Sequence, residues 1–351
     1  MLEPKYKITG KIANNLLKII DAKKVVDSAK ILPKLALNLR RQAIIRMTHH
    51  STEIEGNRLN MNQVADLYAN KKVDAPEREI YEVKNYLSAL KFIEKTVKAK
   101  KNITEKIILN IHKLVTAKTM NIKDCGHYRQ GPIYVVRRRL GQANEVIYTG
   151  PAAKKVPGLM SDLIKWVTQA IKEDLNPVII AGIAHQEIAA IHPFNDGNGR
   201  TARALATLIL YSLGYDFRRL FALEDYYNTD RQSYYDAINI GKTYEKRDMD
   251  FTKWLEYFIE GFWAEIALVK SKVEELSTKK LNGKIAEKIY LEKDEEKVLD
   301  FLEYMGKITI NDAVDILSIP KRTAQYKLKN MKKRKLIKQV GKGPKSAYVN
   351  V

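Results

Sequence analysis

The sequence predicts a mainly α-helical protein with one β-hairpin and a small terminal domain in which helices are followed by short strands. Three observations carry that expectation. Apolar residues recur at helical spacing through most of the chain; β-prone runs gather in two places, between Tyr128 and Pro151 and after Leu336; and the segment from Asp294 to Val351 has a helix, helix, helix, strand, strand order.

Taken in order, residues 1–110 alternate apolar pairs with Lys and Asn, as in Ile12, Leu16, Leu17 and Ile20, then Ala43, Ile44, Ile45 and Met47 after Pro33, and read as all-helical. Ile133-Tyr-Val-Val and Val146-Ile-Tyr-Thr flank the polar, Gly-containing stretch from Arg137 to Glu145, which reads as a hairpin with a long basic tip. Helical patterns resume at Leu159 to Ile171, Pro177 to Ile191, Thr201 to Leu213, Arg231 to Ile240 and Phe251 to about Glu275. Residues 276–293, rich in Lys and holding Gly283, read as a connector to a last domain over 294–351.

Composition narrows the class of function. The 351 residues are too many for one small module, and 45% hydrophobic with 29% charged residues is the balance of a folded chain. Lys and Arg number 62 against 41 Asp and Glu, a formal charge of +21 that favours polyanionic partners. Cys125 is the only cysteine, so an internal disulfide and a cysteine-based zinc site are both excluded. No window approaches the roughly 18 apolar residues of a membrane span, and the opening residues lack a signal peptide's apolar core. The expectation is a cytoplasmic protein that does not enter a membrane.

The segment His192-Pro-Phe-Asn-Asp-Gly-Asn-Gly-Arg-Thr-Ala-Arg203 lies between two helical patterns. Pro193 favours an extended conformation at His192, which should end the preceding helix and hold the imidazole at its edge. Gly197 and Gly199 permit a tight turn close to a ligand, and a helix starting near Thr201 aims unpaired N–H groups at the loop, forming an anion nest. Arg200 and Arg203, three apart on the first turn, suit bidentate binding of one polyphosphate, and Asp196 offers an oxygen to Mg2+. Gly197 to Ala202 also matches the dinucleotide-binding fingerprint, but that pattern needs a preceding strand and here a helix precedes it. A plain helix–turn–helix corner with a packed histidine is the other structural alternative.

These residues resemble the signature of the Fic family, H-x-F-x-[DE]-G-N-G-R-x-x-R, at every specified position. The resemblance extends to the hairpin, similar to the family's flap, to the helices from Leu159 to Phe262, and to the helical region before residue 110. It implies a Fic-type helical core over 111–275 and transfer of AMP from ATP to a protein hydroxyl. His192 would be the general base, Asp196 the Mg2+ ligand, and Gly197, Asn198, Gly199, Arg200, Thr201, Ala202 and Arg203 the phosphate-binding residues. Kinase-like members carry lysine at the position of Gly199, so glycine there favours nucleotidyl over phosphoryl transfer.

By the same resemblance, Glu145, Val146, Ile147 and Tyr148 lie over the nucleotide while the hairpin edge pairs with an extended target segment; a hairpin that merely covers the core is the alternative. Tyr234 and Tyr235 resemble a pair that encloses the base in relatives, though tyrosine is common here and the pair also suits a structural role. Lys242 stands where some relatives carry Asn. Ser51-Thr-Glu-Ile-Glu-Gly-Asn57 resembles the family's inhibitory motif, [ST]-x-x-x-E-[GN]. Glu55 would then pair with Arg203 and keep the γ-phosphate from it; a solvated acid at a helix end stopped by Gly56 is the plain alternative.

The terminal module resembles a winged helix-turn-helix. Its third helix, Arg322 to Arg334 with Lys321 just before it, offers Lys321, Arg322, Gln325 and Lys329 as candidates for contact with DNA; a protein interface or dimer contact, or a solvated charge run, are the alternatives. From Lys307 to Val351 there are twelve Lys and Arg against Asp312 and Asp315, so nearly half of the excess charge sits in this module. The expected partners are ATP with Mg2+, a protein bearing a Ser, Thr or Tyr hydroxyl, and DNA, with a homodimer left open. Removal of AMP, transfer of another nucleotide, and a DNA-binding regulator that senses nucleotide are the competing functions.

Overall fold

Thr9 begins the first helix: its side chain accepts from the Ile12 N–H, satisfying one of the donors that a helix start leaves unpaired. In the computed structural model, which describes residues 2–29, 31, 33–137, 145–247, 249–278, 292–317, 319–341 and 346–350, most of the chain is helical, as expected. Residues 138–144 of the expected hairpin tip and 279–291 of the expected connector lie outside that description. The chain forms two compact units, one of Met1–Ala29 with Gln42–Glu274 and one of Lys30–Arg41 with Glu275–Val351.

The first unit is organised around α7 (Pro177–Ile191), with Pro177 at its first turn and the Asn176 side chain capping it. Almost every residue of α7 is buried, including His185, Gln186 and Glu187, so this helix is the core rather than a face of it. It packs most extensively against α8 (Asn198–Ser212), and α6 (Val156–Lys172) lies along α7 as well. Towards α8 lie α4 (Glu77–Lys98) and α5 (Glu105–Thr116), both amphipathic. From α11 (Thr252–Thr278), Trp254 and Phe258 close the core, each such side chain contributing roughly 1.5–3 kcal/mol by burial. The Trp254 indole donates to the Gly182 carbonyl at 2.7 Å, and a Cβ on Gly182 would stand 2.9 Å from Leu255. The helices therefore meet where glycine leaves room.

Around this core run α1 (Gly10–Ser28), the part of α2 (Pro33–Ile54) from Gln42 onward, α3 (Met61–Tyr68, opened by an Asn60–Gln63 capping box), α9 (Leu223–Thr229) and α10 (Arg231–Ile238). The unit's two strands, β1 (Tyr134–Arg137) and β2 (Glu145–Thr149), pair antiparallel with an irregularity between Val135 and Val136. At the end of β2, the Thr149 N–H donates to the Lys242 carbonyl and the Tyr244 N–H to the Thr149 carbonyl. Tyr148, buried, donates its hydroxyl to the Ala190 carbonyl at 2.7 Å, which ties the strand pair to the end of α7.

The second unit holds α12 (Lys293–Met305), ended by Gly306 in the left-handed conformation, then α13 (Ile310–Leu317) and α14 (Lys321–Lys333). Its core joins Val298, Leu302, Ala313, Leu328, Met331 and Tyr348. The antiparallel pair β3 (Ile337–Val340) and β4 (Ala347–Asn350) completes it, with Ile308 and Tyr348 exchanging backbone hydrogen bonds at 2.8 Å.

Candidate active site

The loop between α7 and α8 is built by hydrogen bonds internal to the sequence 192–203. Asn198 closes it: its Oδ1 accepts from the Phe194 N–H at 2.9 Å and its Nδ2 donates to the Phe194 carbonyl at 2.8 Å. Gly197 has φ of 77° and caps α8, so the helix begins at Asn198, earlier than the start expected near Thr201. A side chain at Gly197 would meet Thr116 Cγ2 at 2.7 Å as well as a left-handed backbone. The first bond of α8 runs from the Thr201 N–H to the Gly197 carbonyl, which leaves the Asn198, Gly199 and Arg200 N–H groups outside the helix ladder. These are the donors of an anion nest.

The helix does stop before His192, but the expected extended conformation is corrected: His192 is left-handed, with φ of 49°. Its N–H still reaches the Ile188 carbonyl at 3.0 Å, while its own carbonyl accepts from Arg129 Nε at 2.8 Å. Those two bonds hold a backbone geometry that proline alone would not select. Nδ1 lies 3.2 Å from the Ala189 carbonyl and must carry the proton to bond it, which leaves Nε2 with its lone pair. Burial lowers the imidazole's pKa, partly offset by that carbonyl and by Glu55.

Two residues without any signal in the local sequence set the loop in place. Arg129, 2% exposed, spans the carbonyls of His192, Gly131 and Pro151 with Nε, Nη1 and Nη2. His112 accepts from the Gly126 N–H at Nδ1 and lies 3.0 Å from the Asp196 carbonyl at Nε2, stacked 3.6 Å from the Phe194 ring. Its pKa falls to about 4, chiefly by burial. One arginine among 62 Lys and Arg and one histidine in an apolar helix pattern do not stand out in the sequence; their roles come from tertiary contacts.

Arg203 projects from α8 to the end of α2. Nε donates to Ser51 Oγ at 2.9 Å, and Nη2 donates to the Ser51 carbonyl and to Glu55 Oε1, both at 2.8 Å. Burial is the largest single influence and opposes the guanidinium charge, but Glu55, Tyr234 and Tyr86 together outweigh it and hold the Arg203 pKa above its ordinary value. Glu55 Oε1 would lie 2.2 Å from a Cβ on Gly199, so the carboxylate rests directly on the nest.

A cavity of about 450 Å³ opens here, lined by His192, Asn198, Gly199, Arg203 and Glu55, by Val135, Val136, Ile147 and Tyr148 of the strand pair, and by Tyr234 and Tyr235. That size suits a small-molecule site. Gln186, Gln232, Asn239 and Arg247 also line it, without having been singled out in the sequence. Tyr234 is buried with its hydroxyl 3.0 Å from His185 Nε2; Tyr235 donates to the Ile54 carbonyl at 3.2 Å, at the turn that leads to Glu55.

The remaining candidates are not among the lining residues. Thr201 and Ala202 are buried against the core, Glu145 and Val146 are exposed at the outer end of β2, and Lys242 contributes a backbone carbonyl to Thr149 while its side chain is exposed. Arg200 does not share a ligand position with Arg203. It is buried behind the loop, where Nη1 donates to the Val115 carbonyl and Nη2 pairs with Asp196 Oδ1 at 3.2 Å. Both arginines lie in α8 and their partners separate them, Val115 and Asp196 for Arg200, Ser51 and Glu55 for Arg203. Asp196 is half-buried, with Arg78 3.5 Å from its other oxygen.

Residues 102–210, which contain this loop, match the model of the Fic/DOC family. They form a Fic/DOC domain. Among curated proteins the chain is similar to the protein adenylyltransferases Fic of Drosophila willistoni, 31% identical over 56% of this chain and 38% of that protein, and of Nematostella vectensis, 28% identical over 67% and 52%. The chain thus spans about two fifths to one half of the relatives it matches. Among solved structures, a Fic family protein from Desulfovibrio desulfuricans aligns with a TM-score of 0.64 at 24% identity, over 99% of this chain and 98% of that one. Fic-1 from C. elegans aligns with a TM-score of 0.61 at 22% identity, over 75% and 73%. These likenesses place the Fic/DOC domain in a known fold. No helix among the described residues is long and apolar enough to cross a membrane.

Proposed function

We propose that this chain is a protein adenylyltransferase that moves AMP from ATP to a Ser, Thr or Tyr hydroxyl of a target protein, restrained by its own Glu55. The observation that supports this most is the shared cavity: a histidine with a free Nε2, a nest of unpaired N–H groups, and a carboxylate seated on that nest.

His192 enters the reaction neutral, because burial lowers its pKa and Nδ1–H is committed to Ala189. Nε2 takes the proton of the incoming hydroxyl as that oxygen bonds to the α-phosphorus, and the bond from phosphorus to the bridging oxygen of pyrophosphate breaks. Pyrophosphate leaves with the bonding pair. The N–H groups of Asn198, Gly199 and Arg200 stabilise the phosphate oxygens, with Arg203 at the pyrophosphate end. Ile147 and Tyr148 close over the nucleotide, Tyr234 and Tyr235 flank the base, and the edge of the strand pair aligns an extended target segment.

Asp196 has the chemistry for Mg2+, since one carboxylate is sufficient when phosphates and water complete the octahedron. It is half-exposed at the mouth of the loop, and its oxygens are now shared with Arg200 and Arg78. Bound there, the ion would neutralise phosphate charge.

Glu55 restrains the reaction by occupying Arg203 and by standing where phosphate would approach Gly199. Its negative charge repels the same oxygens that the nest attracts. In the second unit, Lys321, Arg322, Gln325 and Lys329 are exposed on α14 while Ala324, Leu328 and Met331 of the same helix are buried, a polar face suited to duplex DNA. The test of the enzyme is transfer from radiolabelled ATP to the proteins of a cell extract: Glu55→Gly should label protein, and the Glu55→Gly/His192→Ala pair should label none.

A further inference from the structure

The last turns of α2 carry a second cluster of donors, on residues that do not line the cavity. Nδ1 of His49 is 3.2 Å from Nδ1 of His50 and 3.6 Å from Glu53 Oε2, and Nδ1 of His50 is 3.3 Å from that same oxygen. We propose that His49, His50 and Glu53 form a binding site for a single divalent ion of the Zn2+ class.

The spacing is the first argument. Ligand atoms about 2.1 Å from a tetrahedral ion stand about 3.4 Å from one another, and the three observed separations bracket that value. The second is the direction of the lone pairs. His50 Nδ1 accepts from Asn228 Nδ2 at 2.7 Å, so its proton belongs on Nε2, which faces Asp225 Oδ1 at 3.5 Å. The Leu59 backbone is a further hydrogen-bonding neighbour of the His49 ring. Arg231 Nη2 holds Oε1 of Glu53 at 3.0 Å and so turns Oε2 towards the imidazoles. Nδ1 of His50 and Oε2 of Glu53 are thus acceptors turned towards one another, an arrangement that needs a donor such as Asn228 or a cation between them.

A carboxylate beside one ligand histidine and a backbone neighbour beside the other are outer partners of the kind that fix such rings for metal binding. Two nitrogens and one oxygen select a borderline ion over Mg2+ or Ca2+. The side chains of His49, His50 and Glu53 are 12%, 19% and 33% exposed, which gives an entering ion a path and a largely dry seat. The Asn228 amide, now donating to His50 and to Glu53 Oε2 at 2.8 Å, is what the ion displaces, with water in the fourth position.

The experiment is titration of the full chain, without a polyhistidine tag, with Zn2+ alone by calorimetry and with Co2+ alone by visible absorption. The expected result is one equivalent per chain with the bands of four-coordinate Co2+, weakened by about tenfold or more in H49Q and in H50Q and unchanged in H192A. E53Q, which keeps a polar group for Asn228 and Arg231, supplies the same comparison if circular dichroism shows the histidine variants unfolded. Absence of saturable binding, or binding that persists undiminished in folded H49Q, H50Q or E53Q, overturns the site.

Discussion

Glu55 and Arg203 are joined by a 2.8 Å charged hydrogen bond that places the carboxylate against the backbone of Gly199. On the proposed function, this one contact withholds a cation from the phosphates and sets an anion where they would bind. Because Arg203 also bonds Ser51 twice, losing Glu55 does not leave the guanidinium without partners.

Glu55→Gly should accordingly bind ATP more tightly while folding somewhat less stably. The expected cost is about 1–3 kcal/mol for the missing charged bond, and the thermal shift produced by ATP should exceed that of the parent. Differential scanning fluorimetry with and without ATP reads both effects. An unchanged ATP shift would mean that Glu55 does not guard the nest.

Gly199→Ala tests the same contact from the other side. A Cβ 2.2 Å from Glu55 Oε1 forces the carboxylate aside, so the substitution should destabilise the parent more than it destabilises the Glu55→Gly variant. A double-mutant cycle on melting free energies should give a coupling of about 1 kcal/mol. Strictly additive effects would place the carboxylate elsewhere in solution.

Much of the site was legible before the fold. The order of histidine, acid, glycines and arginines between two helical patterns marked the loop, and Ser51 to Asn57 marked the partner of Arg203. What escaped was set by tertiary packing. Proline at position 193 argued for extension at His192, yet the Arg129 and Ile188 bonds hold it left-handed. Arg200 and Arg203 looked equivalent by spacing, but tertiary partners hold one behind the loop on Val115 and Asp196 and draw the other towards Ser51 and Glu55. Asn239 and Arg247 reach the cavity from segments far along the chain, with no local pattern to single them out.

Arg129 is expected to act through His192 rather than on substrate. Arg129→Lys loses the fan of donors to three carbonyls and should lower kcat roughly tenfold with little change in the KM for ATP. An equal loss in kcat and rise in KM would point instead to general disruption of the cavity.

Acid should destabilise the first unit through His112. Its folded pKa of about 4 lies below the ordinary 6.5, so the unfolded chain takes up the proton first. Stability is then complete above about pH 6.5 and declines as pH falls towards 4, by up to about 3 kcal/mol. Melting curves across that window should show the decline, and His112→Gln should flatten it.

On α14, replacing Lys321, Arg322 and Lys329 together with Ala should weaken duplex DNA binding and lower its dependence on salt concentration, by a slope of roughly one for each phosphate no longer neutralised. A gel shift at several salt concentrations measures both. Binding that is insensitive to salt would assign this face to a protein partner.

The most direct test of AMP transfer restrained by Glu55 is the intact mass of the protein after incubation with ATP and Mg2+. The Glu55→Gly chain should gain the mass of one AMP or more, the parent much less, and the Glu55→Gly/His192→Ala chain none. A Glu55→Gly chain that gains no AMP, or an equal gain without His192, would contradict the account.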